Sequence, residues 1–152
     1  MKRRAVLQYA LGAVALSALP VSAAPGLPEV EVFKNPNCGC CGAWVDHMKA
    51  AGFPVKVVEV EDTGTVRRQV GMPDRFGSCH TAKVAGYALE GHVPAEEVKR
   101  LLKTRPQAVG LAVPGMPAGS PGMEMGPRLD PFKVLLVDRS GQSTVFAAYP
   151  KA

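Results

Sequence analysis

Hydrophobic and polar residues alternate along the chain with two different periods, and together these periods predict a mixed α/β domain. Residues 30–33 alternate between apolar and polar side chains with the period of two expected for a strand. Residues 41–51 carry apolar side chains at intervals of three and four, which predicts an amphipathic helix that ends at Gly52. The valine-rich residues 55–60 predict a second strand. Because a strand–helix–strand unit of this length joins parallel neighbours, we expect these two strands to pair in parallel.

The pattern continues with shorter elements and one long irregular segment. The further predicted elements are a short basic helix over 66–70, an apolar stretch over 83–89 before a turn at Gly91, a helix over 94–103, and a C-terminal hairpin with strands over 134–137 and 144–149. Between the last helix and the hairpin, residues 106–131 contain five glycines and six prolines in 26 positions. This composition predicts a Pro/Gly/Met-rich loop without regular structure.

The N-terminal residues have the pattern of a cleavable export signal. Met1–Arg4 is cationic, residues 5–19 are mostly apolar, and Val21-Ser22-Ala23 offers a small-x-small cleavage site. We therefore expect residues 1–24 to be a signal peptide and residues 25–152 to form a single domain in the periplasm. A Sec signal is favoured over a twin-arginine signal, because the arginine motif matches only loosely. The apolar run is short for a membrane span, and no span is expected after the leader is removed.

The net charge of the whole chain overstates how basic the mature domain is. The formal net charge is +5, but Lys2, Arg3 and Arg4 lie in the predicted leader, which contains no acidic residue. The remaining charge is too small for an extended basic surface, and aromatic residues make up only 6% of the chain. Proteins that bind nucleic acids combine positive charge with stacking side chains, so nucleic acid is not an expected partner.

The four cysteines carry the strongest indication of function. Cys38, Cys40 and Cys41 crowd into four residues, and Cys79 lies on a later loop. A structural disulfide gains most by closing a long loop, and a bond among these three cysteines would close almost none, so two structural disulfides explain the crowding poorly. Cys38 and Cys41 form a C-x-x-C motif between a predicted strand and a helix, where thioredoxin-like folds place their redox cysteines. The free N–H groups at a helix N-terminus stabilise a thiolate, which serves disulfide exchange and soft-metal binding alike.

The order of the later elements follows the same thioredoxin-like arrangement. In such folds, the loop before the next strand lies beside the C-x-x-C motif, and Cys79 falls on that loop. We therefore expect Cys79 to approach Cys38, Cys40 and Cys41 and to be able to complete a site with four sulfurs. A dithiol oxidoreductase needs only two cysteines, so the third one, Cys40, invites either metal binding or an alternative disulfide.

Several motifs together resemble a known family. They are Asn35–Cys41, Ser78–Ala82, Gly91–Pro94 and Pro114–Glu124. In combination they resemble the periplasmic copper-resistance proteins of the CopG type, an uncharacterised metal-binding domain family, over residues 30–149. The resemblance implies a thioredoxin-like mixed sheet with flanking helices. It also implies a copper site on Cys38, Cys40, Cys41 and Cys79 with a methionine nearby, and in some members several copper ions bridged by sulfur.

The chemistry of the candidate ligands agrees with copper. Thiolate and thioether sulfur favour Cu(I), whereas a zinc site with four cysteines usually has two separated C-x₂-C pairs and this chain has one. Adjacent Cys40 and Cys41 cannot easily point at one tetrahedral ion, but sulfurs that bridge several copper ions can diverge. His47 is expected to be solvated, and His92 to have a structural role in a turn. Candidates for further ligands are the loop methionines and the histidine beside Cys79: Met72, Met116, Met123, Met125 and His80.

Two functions follow from these residues. The favoured one is a periplasmic copper-binding protein for copper resistance or handling, which binds one or several Cu(I) ions through Cys38, Cys40, Cys41 and Cys79. Its expected partners are copper ions, with other periplasmic copper-handling proteins as candidates. The alternative is a thiol–disulfide oxidoreductase in which Cys38 is the nucleophile and Cys41 the resolving thiol. In a hybrid of the two, thiol oxidation accompanies copper reduction or release.

Overall fold

The computed structural model describes residues 26–151, so the predicted signal peptide over 1–24 lies outside the described residues. The elements are β1 Val30–Lys34, α1 Gly39–Ala50, β2 Val55–Glu59, α2 Thr63–Gln69, a short 3₁₀ helix Asp74–Phe76, β3 His80–Val84, β4 Tyr87–Glu90, α3 Ala95–Thr104, β5 Gly110–Ala112, β6 Phe132–Val137 and β7 Ser143–Tyr149. The seven strands form one mixed sheet in the order β2-β1-β3-β4-β5-β6-β7. None of the helices within 26–151 is long and apolar enough to cross a membrane.

The first four strands and the helices around them confirm the expected thioredoxin-like arrangement. Strand β1 pairs in parallel with β2 and antiparallel with β3, and β3 pairs antiparallel with β4. Helix α1 forms because its apolar residues recur on one face, and that face buries Trp44, Val45 and Met48. These side chains pack with Val30 and Val32 of β1 in the main hydrophobic core. The core therefore fixes the N-terminus of α1 beside the ends of the central strands.

The sequence suggested that the apolar stretch over 83–89 is a single element. In the structure, this stretch contains parts of two strands. Strand β3 ends at Val84 and β4 begins at Tyr87, and between them Ala85 and Gly86 have φ angles of 47° and 86°. Two consecutive residues with positive φ are typical of the tight turn that joins antiparallel strands. Alanine rarely adopts a positive φ, so the residue at position 85 gave little indication of a turn in the sequence.

The Pro/Gly/Met-rich segment contains one strand that its composition did not predict. Strand β5 pairs in parallel with β4 and antiparallel with β6, and so connects the thioredoxin-like part of the sheet to the C-terminal hairpin. At Gly110 the backbone passes so close to Ala88 that a Cβ atom would overlap the Ala88 carbonyl oxygen. The rest of the segment has no regular structure, and the β6–β7 hairpin is confirmed.

Candidate metal centre

Three of the cysteines lie at the N-terminus of helix α1, where a turn delivers them. The side-chain oxygen of Asn35 accepts a hydrogen bond from the Asn37 backbone N–H, and the Asn35 carbonyl accepts one from Cys38 N–H. This turn stops the chain after β1 and makes Cys38 the residue that precedes the first helical turn. Cys38 and Cys41, three residues apart on the same side of the helix, are joined by a disulfide. The C-x-x-C motif is therefore present here in its oxidised form.

The fourth cysteine meets this cluster, as its place before β3 had led us to expect. The Cys79 Sγ lies 3.8 Å from the Cys40 Sγ, which in turn lies 3.5 Å from the Cys38 Sγ. The Cys41 Sγ lies 3.6 Å from the Cys79 carbonyl oxygen. All four sulfur atoms fall within 4.8 Å of one another. Among the described cysteines, Cys40 and Cys79 have free thiols, and both are partly accessible to solvent.

Two histidines extend the centre from the other side of Cys79. The His92 Nε2 lies 3.1 Å from the Cys79 Sγ, and the His80 Nδ1 lies 3.4 Å from it. The His92 Nδ1 donates a hydrogen bond to the Pro121 carbonyl at 2.8 Å, which leaves Nε2 unprotonated and able to accept from the thiol or to bind a metal. Cys79, His80 and His92 therefore form a second group of close donor atoms.

His92 is a candidate ligand that the sequence reasoning missed. Beyond the pair of Thr81 and Glu90, the His80 carbonyl accepts the Gly91 N–H at 3.0 Å, and the side chains of Cys79 and His92 meet just past these strand ends. Recognition of the turn at Ala85-Gly86 would have revealed this register. His47, which we expected to be solvated, is only partly exposed, and its Nε2 accepts the Ala95 N–H at the start of α3.

The surroundings of the three donors keep them uncharged at neutral pH. Burial, together with the neighbouring Cys40 thiol, raises the pKa of Cys79 to about 12. Burial and the nearby His92 lower the pKa of His80 to about 3, and burial also lowers the pKa of His92. The His80 ring lies 4.5 Å from the Trp44 ring, and its buried Nε2 has no hydrogen-bond partner in the part of the chain that the structure describes. A metal that binds the Cys79 thiolate must therefore displace a proton.

The candidate methionines lie in different environments. Met72 is buried in a hydrophobic cluster that contains none of the cysteines, and packing alone explains its position. Met116 and Met125 are exposed, and Met123 is half-buried. The loop that carries these three contacts the centre through its backbone, because the Pro121 carbonyl accepts from His92. The structure thus brings the loop, rather than the Met72 side chain, to the cysteines.

Comparison with known proteins found one matching family and two similar solved structures. A family described as "Protein of unknown function, DUF411" matches residues 76–123. Two solved structures named copper resistance protein CopG, forms 2 and 1, are 45% and 46% identical to this chain, with TM-scores of 0.78 and 0.77. Each match covers 82% of this chain and 99% of the other. The search of curated proteins gave no match.

Proposed function

This chain belongs to the family of the copper resistance protein CopG, and from that membership we propose that it is a periplasmic protein that binds Cu(I). The observation that carries the proposal is the group of four cysteine sulfurs within 4.8 Å of one another. Sulfur donors favour Cu(I), a soft ion, over harder divalent metals. The leader pattern at 1–24 supports export, and copper ions would be the cargo that the protein holds during copper resistance or handling.

The number of sulfurs available for copper depends on the disulfide. Cys40 and Cys79 carry free thiols, and His80 and His92 offer nitrogen donors beside Cys79. Reduction of the Cys38–Cys41 disulfide, with two electrons and two protons from an external thiol reductant, would release two more sulfur ligands. Cys40 and Cys41 are adjacent in sequence, which favours sulfurs that bridge several copper ions over a single tetrahedral site. The proposed cargo is therefore a group of Cu(I) ions in the reduced protein.

A second function is supported by the same disulfide. A bond between Cys38 and Cys41 at the start of α1 is the oxidised form of a thiol–disulfide oxidoreductase motif. Once this disulfide has been reduced by an external thiol, the Cys38 thiolate would attack a partner disulfide and release one partner thiol. Cys41 would then attack the mixed disulfide, release the second partner thiol and restore the Cys38–Cys41 disulfide. This function has no need of Cys40, Cys79 or the histidines. Cys40 therefore separates the two proposals.

The deciding experiment compares the wild type with a Cys40→Ser variant and a Met125→Leu control. The reduced wild type should bind Cu(I) in preference to Zn(II), and its disulfide form should bind fewer Cu(I) ions than the reduced form. Cys40→Ser should lower the Cu(I) stoichiometry more than Met125→Leu does, because a bridging thiolate serves more than one ion, whereas Met125 is exposed and would be a ligand to one ion at most. Metal analysis under anaerobic conditions measures the number of bound metal ions, and thiol titration measures how many cysteines are reduced. Unchanged copper stoichiometry in Cys40→Ser, together with full disulfide-reductase turnover, would favour the enzyme instead.

A further inference from the structure

A carboxylate is buried close to the centre, and its hydrogen bonds go to residues other than the candidate metal ligands. Glu90, at the end of β4, is fully buried. Its Oε1 accepts hydrogen bonds from the Arg67 Nε at 2.9 Å and from the Ser78 backbone N–H at 2.7 Å. Its Oε2 accepts from the Thr81 hydroxyl at 2.6 Å. All three donors therefore converge on one side chain beneath the loop that carries Cys79.

Arg67 completes the hold on this loop from helix α2. While its Nε pairs with Glu90, its Nη2 donates to the Ser78 carbonyl at 3.1 Å. The N–H and the carbonyl of Ser78 are thus bound by the two members of one ion pair, and Arg67 is itself largely buried. Ser78 is the residue immediately before Cys79, so its two bonds fix the backbone from which the thiol projects.

The same carboxylate is also linked to the segments that carry the two histidines beside Cys79. Thr81, which donates to Glu90, follows His80 on β3, and Glu90 itself is two residues before His92. Taking a charged pair out of water is expensive, and hydrophobic residues of similar size often stabilise a core as well or better. Apart from a longer contact of Arg67 with Asp74 at 3.4 Å, the bonds of this pair go to the segments around Cys79. The buried pair is therefore explained better by positioning than by stability.

We propose that Glu90 and Arg67 are positioning residues that hold the Cys79 thiol against Cys40 and His92, and so set the affinity of the copper centre. The inference rests on the proposed copper function. Groups that orient metal ligands from behind typically change metal affinity by about 10- to 100-fold when they are replaced. Glu90 and Arg67 would act through the Ser78 backbone, without contact to the metal.

The test compares Glu90→Gln with Glu97→Gln, because the chain offers a closely matched second carboxylate. Glu97 on α3 is also buried, pairs with Arg100 at 2.6 Å, and accepts from the Tyr149 hydroxyl at 2.9 Å. Its partners are Arg100 on α3, Tyr149 at the end of β7 and Lys151 just beyond it, and none of them lies on the Cys79 loop. Both substitutions remove one buried charge and keep the shape of the side chain. Any difference between them at the centre therefore reports positioning and not the general loss of a buried ion pair.

Two measurements are made on the full mature chain. The first is hydrogen exchange of the Ser78 backbone amide in the absence of copper, and the second is Cu(I) affinity of the reduced protein by competition with a chelator of known affinity. Glu90→Gln should raise the Ser78 exchange rate and weaken Cu(I) binding about 10- to 100-fold. Glu97→Gln should leave both near the wild-type values. If Glu90→Gln does not fold, Arg67→Lys, which keeps the charge but cannot reach both Glu90 and Ser78, replaces it with the same expectation.

The outcomes separate the inference from the proposed function. Wild-type exchange and affinity in the Glu90→Gln protein, or equal losses in Glu90→Gln and Glu97→Gln, would overturn the positioning role while copper binding stood. A wild-type protein that binds no Cu(I) would refute the proposed copper function. In that event, unchanged Ser78 exchange in Glu90→Gln would also overturn the inference. Faster exchange would instead support the part of the inference in which Glu90 holds the Cys79 loop in place.

Discussion

Replacement of Gly122 by alanine should destabilise the protein and disturb the centre, because this glycine is where the Pro/Gly/Met-rich loop touches helix α1. Gly122 has a φ of +84°, and a Cβ atom there would lie 2.7 Å from the Trp44 backbone nitrogen and 2.8 Å from the Cys40 carbonyl oxygen. Both contacts are backbone atoms inside α1, and Trp44 is fully buried, so neither can move aside easily.

The expected magnitude has two parts. The left-handed conformation costs an alanine about 1–2 kcal/mol relative to glycine. Overpacking against a rigid neighbour adds about 1–3 kcal/mol. Gly122→Ala should therefore lower the free energy of unfolding by about 2–5 kcal/mol. Because the loop must retreat from α1 to relieve the contact, the Pro121 carbonyl should also leave His92 Nδ1, and the His92 ring should lose its fixed orientation.

Gly126 provides the matched control in the same loop. It has a φ of +93°, and a Cβ atom there would meet no atom within 4 Å. Gly126→Ala should therefore show only the conformational part, about 1–2 kcal/mol. Urea unfolding of both variants at one fixed redox state measures the difference, and the imidazole NMR signals of His92 report its orientation. Equal destabilisation by the two substitutions, or an undisturbed His92 in Gly122→Ala, would refute the close contact as the origin of the effect.

Two further predictions concern acid stability and export. Burial lowers the pKa of His80 to about 3 in the folded protein, against 6.5 in the unfolded chain. The unfolded chain therefore binds a proton that the folded protein does not between these pH values. The stability that His80 contributes is complete above pH 6.5 and is lost as the pH falls toward 3, by at most about 1.4 kcal/mol per pH unit. Urea unfolding from pH 7 to 4 should be less pH-dependent in a His80→Phe variant than in the wild type, and an identical dependence would contradict this reasoning. Protein recovered from the periplasm of an expressing bacterium should begin after Ala23 or Ala24 on N-terminal sequencing, and retention of Met1 would contradict the predicted signal peptide.

The first half of the fold could be predicted because its signals are local. The spacing of apolar residues in α1 and the alternation in β1 depend only on neighbours within one element, and Gly52 marks the end of the helix unit. The C-x-x-C motif indicated a thioredoxin-like fold, and that fold predicted correctly that Cys79 lies beside the other cysteines. Strand β5 could not be predicted in the same way, because three residues within a segment rich in proline and glycine become a strand only when β4 and β6 flank them.

The second set of donors depends on a turn with almost no sequence signature. A two-residue connection at Ala85-Gly86 fixes the pairing of Thr81 with Glu90, and beyond that pair the His80 carbonyl accepts the Gly91 N–H. Gly91 has a φ of +70°, so the regular alternation of β4 ends there, and His92 turns to lie against the ring of His80. The strand pairing and this glycine together therefore bring His92 to the Cys79 thiol. The same register places the Glu90 carboxylate beneath Ser78, so that one turn aligns both the donor and the side chain that holds its loop.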